Sequence, residues 1–278
     1  MPVIAMTREM GSLGKDVATR IAERMGKRVI YHEIIDTLAS KMRIRKSHVE
    51  RLLDGKAGIW ERLTTDKTSL SIYTADETFR VLRGNGAAVI RGWGAAHLLR
   101  DVPHVIRVRI CAPLEVRVQR MKERLKTDDG QLVKREIEAS DEAHTAITKR
   151  HFGVNWRDPE HYDVVLSTER LSVDECVEEL EWMMQRPRFH ESASSIKVFN
   201  DLALQWHARA ALRQDPRTTN LNITVAADGD HVTLSGIVNS GAEAGAAAEV
   251  VKAIAGVSAV TNRLKNVDDA NSRFKREG

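Results

Sequence analysis

A short apolar run opens the chain, and a helical pattern follows it after a glycine-containing segment. Residues 2–7 are typical of a buried strand, and residues 8–14 contain two glycines. Apolar positions such as Val17 and Ile21 then recur at the helical period, and Gly26 stands where a left-handed residue commonly ends a helix. The pattern predicts a strand, a glycine loop and a helix.

Further apolar runs alternate with helical patterns over the first two thirds of the chain. One helix is predicted to begin at Pro113, and another at Ser172, where Glu175 completes a capping-box pattern. Residues 32–84 are mostly helical in pattern, with a break at residues 54–58. The further runs that predict strands are residues 28–31, 87–90, 104–112 and 162–166. This alternation predicts an α/β fold, a three-layer parallel sheet with helices on both faces.

Helical and strand periodicity is lost near residue 187, where polar and small residues predominate. We interpret this segment as a linker between two domains. Beyond it the patterns predict a small α-β-β-α-β unit, in which Ser240 and Glu243 form a second capping-box pattern. The predicted limits are 1–186 for the first domain, 187–196 for the linker, 197–268 for the second domain and 269–278 for a frayed tail.

Composition narrows the class of protein. The 278 residues are 42% hydrophobic and 29% charged, which is ordinary for a soluble globular protein. The start of the sequence lacks the basic and apolar regions of an export signal, and no stretch approaches the roughly 18 apolar residues of a membrane span. The two cysteines, Cys111 and Cys176, lie in apolar segments and fit reduced thiols. These features predict a cytoplasmic protein.

The net charge of +4 lies in the first 200 residues, because acidic and basic residues balance over residues 201–278. A modest basic surplus suits a small anionic substrate, whereas nucleic-acid-binding proteins concentrate a larger surplus in one stripe. We therefore expect no nucleic acid partner.

The glycine loop is the first candidate site. Where a strand leads through a loop into a helix, free backbone N–H groups meet the positive end of the helix dipole, and phosphate is the usual ligand. Lys15 stands where the lysine of a phosphate-binding loop reaches the terminal phosphates. The candidate nucleotide-binding residues are Gly11, Ser12, Leu13, Gly14, Lys15 and Asp16.

Two positions depart from the usual G-x-x-x-x-G-K-[ST] signature. Glu9 replaces the first glycine, and Asp16 replaces the hydroxyl residue that binds Mg²⁺. A carboxylate repels phosphate unless Mg²⁺ lies between them, so Asp16 is the candidate metal ligand. A plain tight turn with a solvated lysine is the alternative on spacing alone.

Residues 7–18, TREMGSLGKDVA, resemble the opening of the cytidylate-kinase-like proteins, in which the unusual loop is itself the family pattern. Similar segments follow at residues 112–115, 151–159 and 162–166, and the resemblance covers residues 1–185. It implies a P-loop kinase-type fold, ATP with Mg²⁺ as phosphoryl donor, and a nucleoside monophosphate such as CMP as acceptor.

The loop after the third predicted strand departs from that family. The family commonly reads V-G-R-G-A, with the arginine expected to hold acceptor phosphate, and Trp93 stands at the arginine position here. Arg91 lies two positions earlier on the same strand face and is the candidate substitute. Residues 31–33, YHE, likewise replace a common D-R-E, so a changed acceptor and a loss of activity both stay open. The candidate acceptor-binding residues are Arg8, Arg91, Trp93 and Arg150.

Three arginines follow the fourth predicted strand at helical spacing. Arg117, Arg120 and Arg124 recur at i, i+3 and i+7, so they share one helix face. We assign Arg120 and Arg124 to catalysis together with Lys15, because phosphoryl transfer depends on cations that neutralise charge on the γ-phosphoryl group. A solvated, salt-bridged helix pair is the alternative, because acidic residues are interspersed with the basic ones.

The second domain resembles a BON domain. Residues 232–238 reproduce its V-x-L-x-G-x-V pattern, and residues 256–264 reproduce its G-V-x-x-V-x-N-x-L ending. BON domains commonly bind membranes or partner molecules, so the resemblance implies a protein, small-molecule or membrane partner. We favour a regulatory or oligomerising role, which includes a homo-oligomer.

Two alternatives accompany the kinase hypothesis. The first is a catalytically impaired nucleotide-binding sensor, which the residues at positions 16 and 93 favour. The second is a scaffold that acts through its BON-like domain.

Overall fold

The computed structural model describes residues 2–42, 44–53, 67–85, 89–92 and 94–267. Within them the first five strands form one parallel sheet of order β2-β3-β1-β4-β5. These strands are β1 (Val3–Arg8), β2 (Val29–Ile30), β3 (Val89–Arg91), β4 (Val105–Cys111) and β5 (Val164–Ser167). The predicted α/β fold is confirmed.

Helices cover both faces of this sheet and bury its apolar strands. The central strand β1 is buried at its first five positions, as an apolar run between two helical layers requires. The helices of this region are α1 (Gly14–Arg24), α2 (His32–Met42), α3 (Lys46–Leu53), α4 (Lys67–Asn85), α5 (Ala95–Leu98), α6 (Leu114–Leu125), α7 (Gly130–Phe152) and α8 (Val173–Met184). The predicted break at residues 54–58 lies outside the described residues.

Local signals in the sequence explain where several helices begin and end. Gly26 adopts φ +62° and its N–H donates to the carbonyl of Glu23, which closes α1. Ser172 accepts from the N–H of Glu175, and the Glu175 carboxylate accepts from the N–H of Ser172, so the capping box at α8 is confirmed. No helix in the described part of the chain has the length and apolar character needed to cross a membrane.

The C-terminal unit is a three-stranded sheet with two helices, in the α-β-β-α-β order that was predicted. Its strand β7 lies centrally, antiparallel to β6 and parallel to β8. The elements are α9 (Ala193–Gln214), β6 (Thr224–Asp228), β7 (His231–Val238), α10 (Gly241–Lys252) and β8 (Ala259–Asn266). A separate apolar core includes Val232 and Leu234 of β7 and Val251 of α10.

The second predicted capping box differs from the expected geometry. Ser240 accepts from the N–H of Glu243, as expected. The Glu243 carboxylate, however, accepts from the N–H of Asn239, one residue before the cap. The Ser240 hydroxyl therefore caps α10 as predicted. The bond from the Ser240 N–H to the Glu243 carboxylate, which would complete the capping box, is replaced by the bond from the N–H of Asn239.

Ordered structure continues through the segment that we interpreted as a linker, residues 187–196. A 3-10 helix, Pro187–Phe189, places the Phe189 side chain in the core beside the first sheet. Helix α9 then begins at Ala193, capped by the Ser192 hydroxyl. Residues 269–278, the predicted tail, lie outside the described residues.

Helix α9 contributes to the cores of both domains. One apolar stripe packs with the first domain, and a second stripe, at positions 204, 208 and 212, packs with the C-terminal sheet. The phenyl ring of Phe199 lies 5.3 Å from that of Phe79 on α4, centroid to centroid. The first stripe consists of Phe199, Leu202, Ala203, Trp206 and Ala210. The spacing of each stripe matches one helix face, so a single helix joins the two domains.

A buried carboxylate reinforces this junction. Asp76 on α4 is 5% exposed in its side chain and lies 2.7 Å from Nζ of Lys41 on α2. Its second oxygen lies 3.0 Å from Nδ1 of His207 on α9. Burial opposes ionisation of Asp76, but hydrogen bonds from His207 and Lys41 outweigh it and lower the pKa of the carboxyl.

We predict that Asp76→Asn lowers the free energy of unfolding by about 1–3 kcal/mol, because two charge-assisted hydrogen bonds are lost. The pKa of Asp76 is lowered in the folded chain, so its contribution is complete above the unfolded value of about 4 and is lost as the pH falls through the lowered pKa. Urea denaturation of wild type and variant at neutral and acidic pH measures this difference. Asp230→Asn, an exposed aspartate in the β6–β7 turn, is the control; an equal effect of both variants would contradict the prediction.

Candidate functional site

The loop between β1 and α1 lies at the carboxyl end of the sheet, where open α/β folds bind ligands. Its backbone is unusual at Gly11, with φ +79°, and at Leu13, with φ +58°. The buried Ser12 hydroxyl lies 2.8 Å from the carbonyl oxygen of Glu9 and 3.1 Å from that of Ile110 on β4. These contacts tie the middle of the loop to its first residue and to β4.

The two loop glycines are required by close packing. A Cβ atom at Gly11 would lie 2.9 Å from the carbonyl oxygen of Arg117 on α6. A Cβ atom at Gly14 would lie 2.6 Å from Cβ of Arg8. Larger residues would displace the loop from α6 and from the end of β1.

The start of α1 presents hydrogen-bond donors and one cation. Within the described chain, no backbone carbonyl accepts from the N–H groups of Leu13, Gly14 or Lys15. The side chains of Lys15 and Asp16 are exposed at the same helix end. The predicted nucleotide-binding residues are thus brought together, in an arrangement that suits an anion.

The side chain of Glu9 holds the start of the loop against β4 and the residue that follows it. Its carboxylate is buried and accepts a hydrogen bond from Nη2 of Arg109, at 2.7 Å, and from the N–H of Ala112, at 3.2 Å. Nε of Arg117 lies 3.6 Å from the same carboxylate. A glycine at this position would leave both arginines without this counter-charge, so the departure at Glu9 has a structural reason.

Arg117 extends the network to the next helix. Two of its guanidinium nitrogens lie 3.0 Å from a carboxylate oxygen of Asp141 on α7, and the Arg157 guanidinium lies 2.9 Å from the same oxygen. Burial raises the pKa of the Asp141 carboxyl, although both arginines oppose that effect. Arg117 therefore holds α6 and α7 against the loop and is buried, whereas Arg120 is partly buried and Arg124 is exposed.

Arg120 reaches the loop through one intermediate residue. Its guanidinium donates to the hydroxyl of Thr168 at 2.9 Å and to the carbonyl of Thr168 at 2.6 Å. The Thr168 hydroxyl in turn lies 2.9 Å from the carbonyl oxygen of Ser12. The loop, Thr168 and Arg120 are thus connected by hydrogen bonds at one edge of the sheet.

A family comparison covers the part of the chain that contains this loop. The model of the cytidylate kinase-like family matches residues 3–170, more than half of the chain. The chain belongs to the cytidylate kinase-like family. A second model, that of the BON domain, matches residues 200–267. The cytidylate kinase-like domain is therefore followed by a BON domain, as the sequence predicted.

Solved structures match the cytidylate kinase-like domain at low sequence identity. An uncharacterized protein from Eubacterium ventriosum is 20% identical, with a TM-score of 0.52 over 67% of this chain and 100% of that one. Shikimate kinase from Acinetobacter baumannii, in complex with shikimate, is 14% identical with a TM-score of 0.39, over 66% of this chain and 93% of its own. The YorR protein from Bacillus subtilis, in complex with phosphorylated GDP, is 12% identical with a TM-score of 0.40, over 68% and 99%. No curated protein matches the chain significantly.

The other predicted residues of this cytidylate kinase-like domain lie at different distances from the loop. Arg8 ends β1 and packs against Gly14. Arg91 ends the neighbouring strand β3, is buried, and places its guanidinium 4.1 Å from the ring centroid of Tyr31. Arg124 is exposed one turn beyond Arg120 on α6.

One predicted acceptor-binding residue, Arg150, is not at the loop. Arg150 lies near the end of α7, in the wall of a cavity between the two domains. Trp93 lies outside the described residues. The structure therefore brings Arg8 and Arg91 to the carboxyl edge of the sheet beside the loop and places Arg150 elsewhere.

Asp16 is compatible with the metal that the family implies. Among the described residues, one cluster of three side chains has atoms close enough together to share a metal ion. It consists of Asp158, Glu160 and His161 and does not include Asp16. Mg²⁺ commonly takes one or two carboxylates, keeps several waters and binds substrate phosphates. An exposed carboxylate next to Lys15 fits that role, because it leaves room for those other ligands.

Two histidines of this domain, His97 and His144, pack as neutral groups. Burial lowers the pKa of His97 to about 4 and that of His144 to about 3. The His144 ring stacks on Trp156, with centroids 4.2 Å apart. Neither pKa is close to 7, which disfavours a role in proton transfer at neutral pH.

Sequence reasoning missed the residues that hold the loop. Glu9 counted only as a departure from the signature, although an acidic residue directly after a buried strand demands a cationic partner. Arg107 and Arg109, at alternate positions of an otherwise apolar strand, were the corresponding signal for that partner. Of these two arginines, Arg107 pairs with Asp163 at 2.9 Å and Arg109 pairs with Glu9.

We predict that Glu9→Gln lowers the free energy of unfolding by about 3 kcal/mol, because Arg109 and Arg117 lose their shared buried counter-charge. Thermal and urea denaturation of the full chain measure the change. Glu115→Gln is the matched control, because Glu115 is an exposed glutamate on α6. A Glu9→Gln variant as stable as the control would contradict this account of the loop.

Proposed function

We propose that this chain transfers the γ-phosphoryl group of ATP to a nucleoside monophosphate such as CMP, and that its BON domain regulates the enzyme or binds a partner. The observation that carries this proposal is the loop of residues 9–16. It presents backbone N–H groups and Lys15 at a helix end, and a buried charge network fixes its position. Membership of a kinase-like family supports the same reaction class.

The proposed reaction needs alignment and positive charge from the protein. A phosphate oxygen of the acceptor attacks the γ-phosphorus, the bond from that phosphorus to the bridging oxygen breaks, and ADP leaves with the electron pair. Lys15 and the N–H groups at the start of α1 bind the donor phosphates and stabilise the negative charge on them. Mg²⁺, held by Asp16, would neutralise further charge on the phosphates when bound.

The arginines have different tasks in this proposal. Arg120, fixed by Thr168, lies next to the loop and contacts the donor phosphates through the guanidinium donors that Thr168 leaves available. Arg124 is exposed and reaches the donor only when the helix pair α6–α7 moves toward it. Arg8 and Arg91, at the ends of adjacent strands, bind the acceptor phosphate.

A nucleotide-binding sensor without transfer is the second candidate. Two guanidinium nitrogens of Arg120 already donate hydrogen bonds to Thr168, and Asp16 places a carboxylate where a hydroxyl is usual. Both observations favour nucleotide binding over fast transfer. The shared helix α9 then offers a route from the nucleotide-binding domain to the BON domain.

We predict that wild type consumes ATP in the presence of Mg²⁺ and one member of a panel containing CMP, dCMP, UMP, AMP and GMP. Lys15→Ala should lower kcat/KM for that acceptor by about 100-fold or more, because a cation at the donor phosphates is lost. A coupled assay of ADP formation measures the rates, and calorimetry measures ATP binding.

Lys134→Ala is the matched control, because Lys134 is an exposed lysine on α7 away from the loop. Turnover that survives Lys15→Ala would refute the proposed mechanism. Tight ATP binding without turnover of any acceptor would favour the sensor.

A further inference from the structure

Helix α8 exposes a tryptophan on the side that faces away from the core. The helix buries Cys176, Val177 and Leu180 against the first sheet. Trp182 lies on the opposite side, and 54% of its surface is exposed. Cζ of Arg186 lies 3.3 Å from the centroid of the indole ring. Tryptophan and arginine are enriched among the residues that dominate protein–protein binding, so this outer face of α8 has the composition of a contact surface.

Charges of opposite sign lie on the two sides of this tryptophan. Glu178 and Glu179, one turn before Trp182, are exposed, and so are Arg186 and Arg188, which follow it. In the part of the chain that the structure describes, none of these four charged side chains forms an ion pair. The outer face is therefore acidic before the tryptophan and basic after it.

The other acidic side chains of α8 already have partners within the domain. A carboxylate oxygen of Asp174 lies 2.7 Å from Nη1 of Arg20, and one of Glu181 lies 2.8 Å from Nη1 of Arg24, both on α1. Glu175 caps the start of the helix. The helix dipole favours acidic residues early and basic residues late in a helix, but it gives no reason for an exposed tryptophan between them.

A depression of about 460 Å³ lies beside the tryptophan. It is lined by residues 182–183 and 186–189 and by Asp163, whose carboxylate pairs with Arg107 at 2.9 Å. Asp163 stands directly before β5, so this surface is at the amino edge of the parallel sheet, whereas the loop 9–16 is at the carboxyl edge. The outer face thus has a concave part next to its exposed indole ring.

We propose that the outer face of α8 binds the same face of a second copy of this chain, with the two helices antiparallel. In a two-fold pair centred on Trp182, each residue before it lies opposite the residue equally far beyond it in the second copy. The turn that contains Glu178 and Glu179 therefore lies opposite Arg186 of the partner subunit. A parallel pair would place like charges opposite each other instead, so the charge pattern selects the antiparallel arrangement.

The indole rings and the charges have different tasks in this dimer. The two tryptophans meet near the axis, and each enters the depression beside the other, which removes apolar surface from water. Exposed ion pairs add little free energy, but they set the orientation. One helix face makes a small interface, so we expect a reversible dimer with a dissociation constant on the order of 10–100 µM. The proposal does not rest on phosphoryl transfer, because no residue of the loop 9–16 contributes to this face.

Analytical ultracentrifugation of the full chain between about 5 and 200 µM tests the proposal, because this range spans the expected dissociation constant. Trp182→Ala should raise that constant at least about tenfold, since the central apolar contact is lost. Glu179→Arg and Arg186→Glu should each weaken the dimer, since each places like charges opposite each other. An equimolar mixture of these two variants should dimerise at least as well as wild type, because opposite charges meet again in the mixed pair.

Two substitutions at exposed residues serve as matched controls. Leu125→Ala removes a similarly exposed apolar side chain, at the end of α6. Arg263→Glu reverses the charge of an exposed arginine on β8. Neither should change the dissociation constant, and thermal denaturation of every variant checks that the fold is intact.

Three results would overturn the proposal. The first is a wild-type chain that stays monomeric over the whole concentration range. The second is a dimer that Trp182→Ala and both charge reversals leave unchanged, because the copies would then meet through another surface, such as the BON domain. The third is a mixture of the two charge-reversal variants that dimerises no better than either variant alone. None of these results bears on ATP consumption, which the comparison of wild type with Lys15→Ala tests separately.

Discussion

The buried carboxylate of Glu9 is the constraint on which the candidate site depends. It lies at the point where the central strand β1 ends, and it is paired with Arg109 of β4 and with Arg117 of α6. Arg117 continues the chain of charges to Asp141 of α7. Without Glu9, Arg109 of β4 would lose the carboxylate that pairs with it, and Arg117 of α6 would lose one of its two carboxylate partners. The geometric effect of this network is to hold a loop with two left-handed residues in one shape, so that the N–H groups at the start of α1 stay aligned for an anion.

A second constraint couples the two domains. Helix α9 presents apolar stripes to two different cores, and His207 on the same helix contacts Asp76, which also contacts Lys41 of α2. A displacement of α9 would therefore change contacts on α4 and α2, both of which cover the first sheet. The cavity between the domains lies along the same helix. Any ligand there would act on the contact between domains, which is the physical requirement for coupling one site to another.

Much of the fold could be predicted from local sequence, and the site only in part. The succession of helices and strands along the chain, the end of α1 at Gly26 and the start of α8 at Ser172 followed from patterns within a few residues. The partners of Glu9 could not be predicted in this way, because Arg109 and Arg117 lie about a hundred residues away and pairing is decided by sheet order. Arginines at i, i+3 and i+7 do share a helix, yet Arg117 is buried, Arg120 is bonded to Thr168 and Arg124 is exposed. Helical spacing places the three arginines on one face of α6, and the packing of α6 on the loop decides how exposed each of them is.

The two-sided packing of α9 also bears on how such a protein can be divided or recombined. The BON match begins at residue 200, whereas the helix begins at Ala193 and buries Phe199 and Ala203 against the first domain. A cut at the family boundary would split a helix and expose an apolar surface on the remaining half. Gene fusions that exchange the BON domain of this chain for another must therefore carry the first stripe of α9 along, or replace it. Because helix α9 belongs to both cores, the BON domain of this chain is not an independent unit that can be transferred without it.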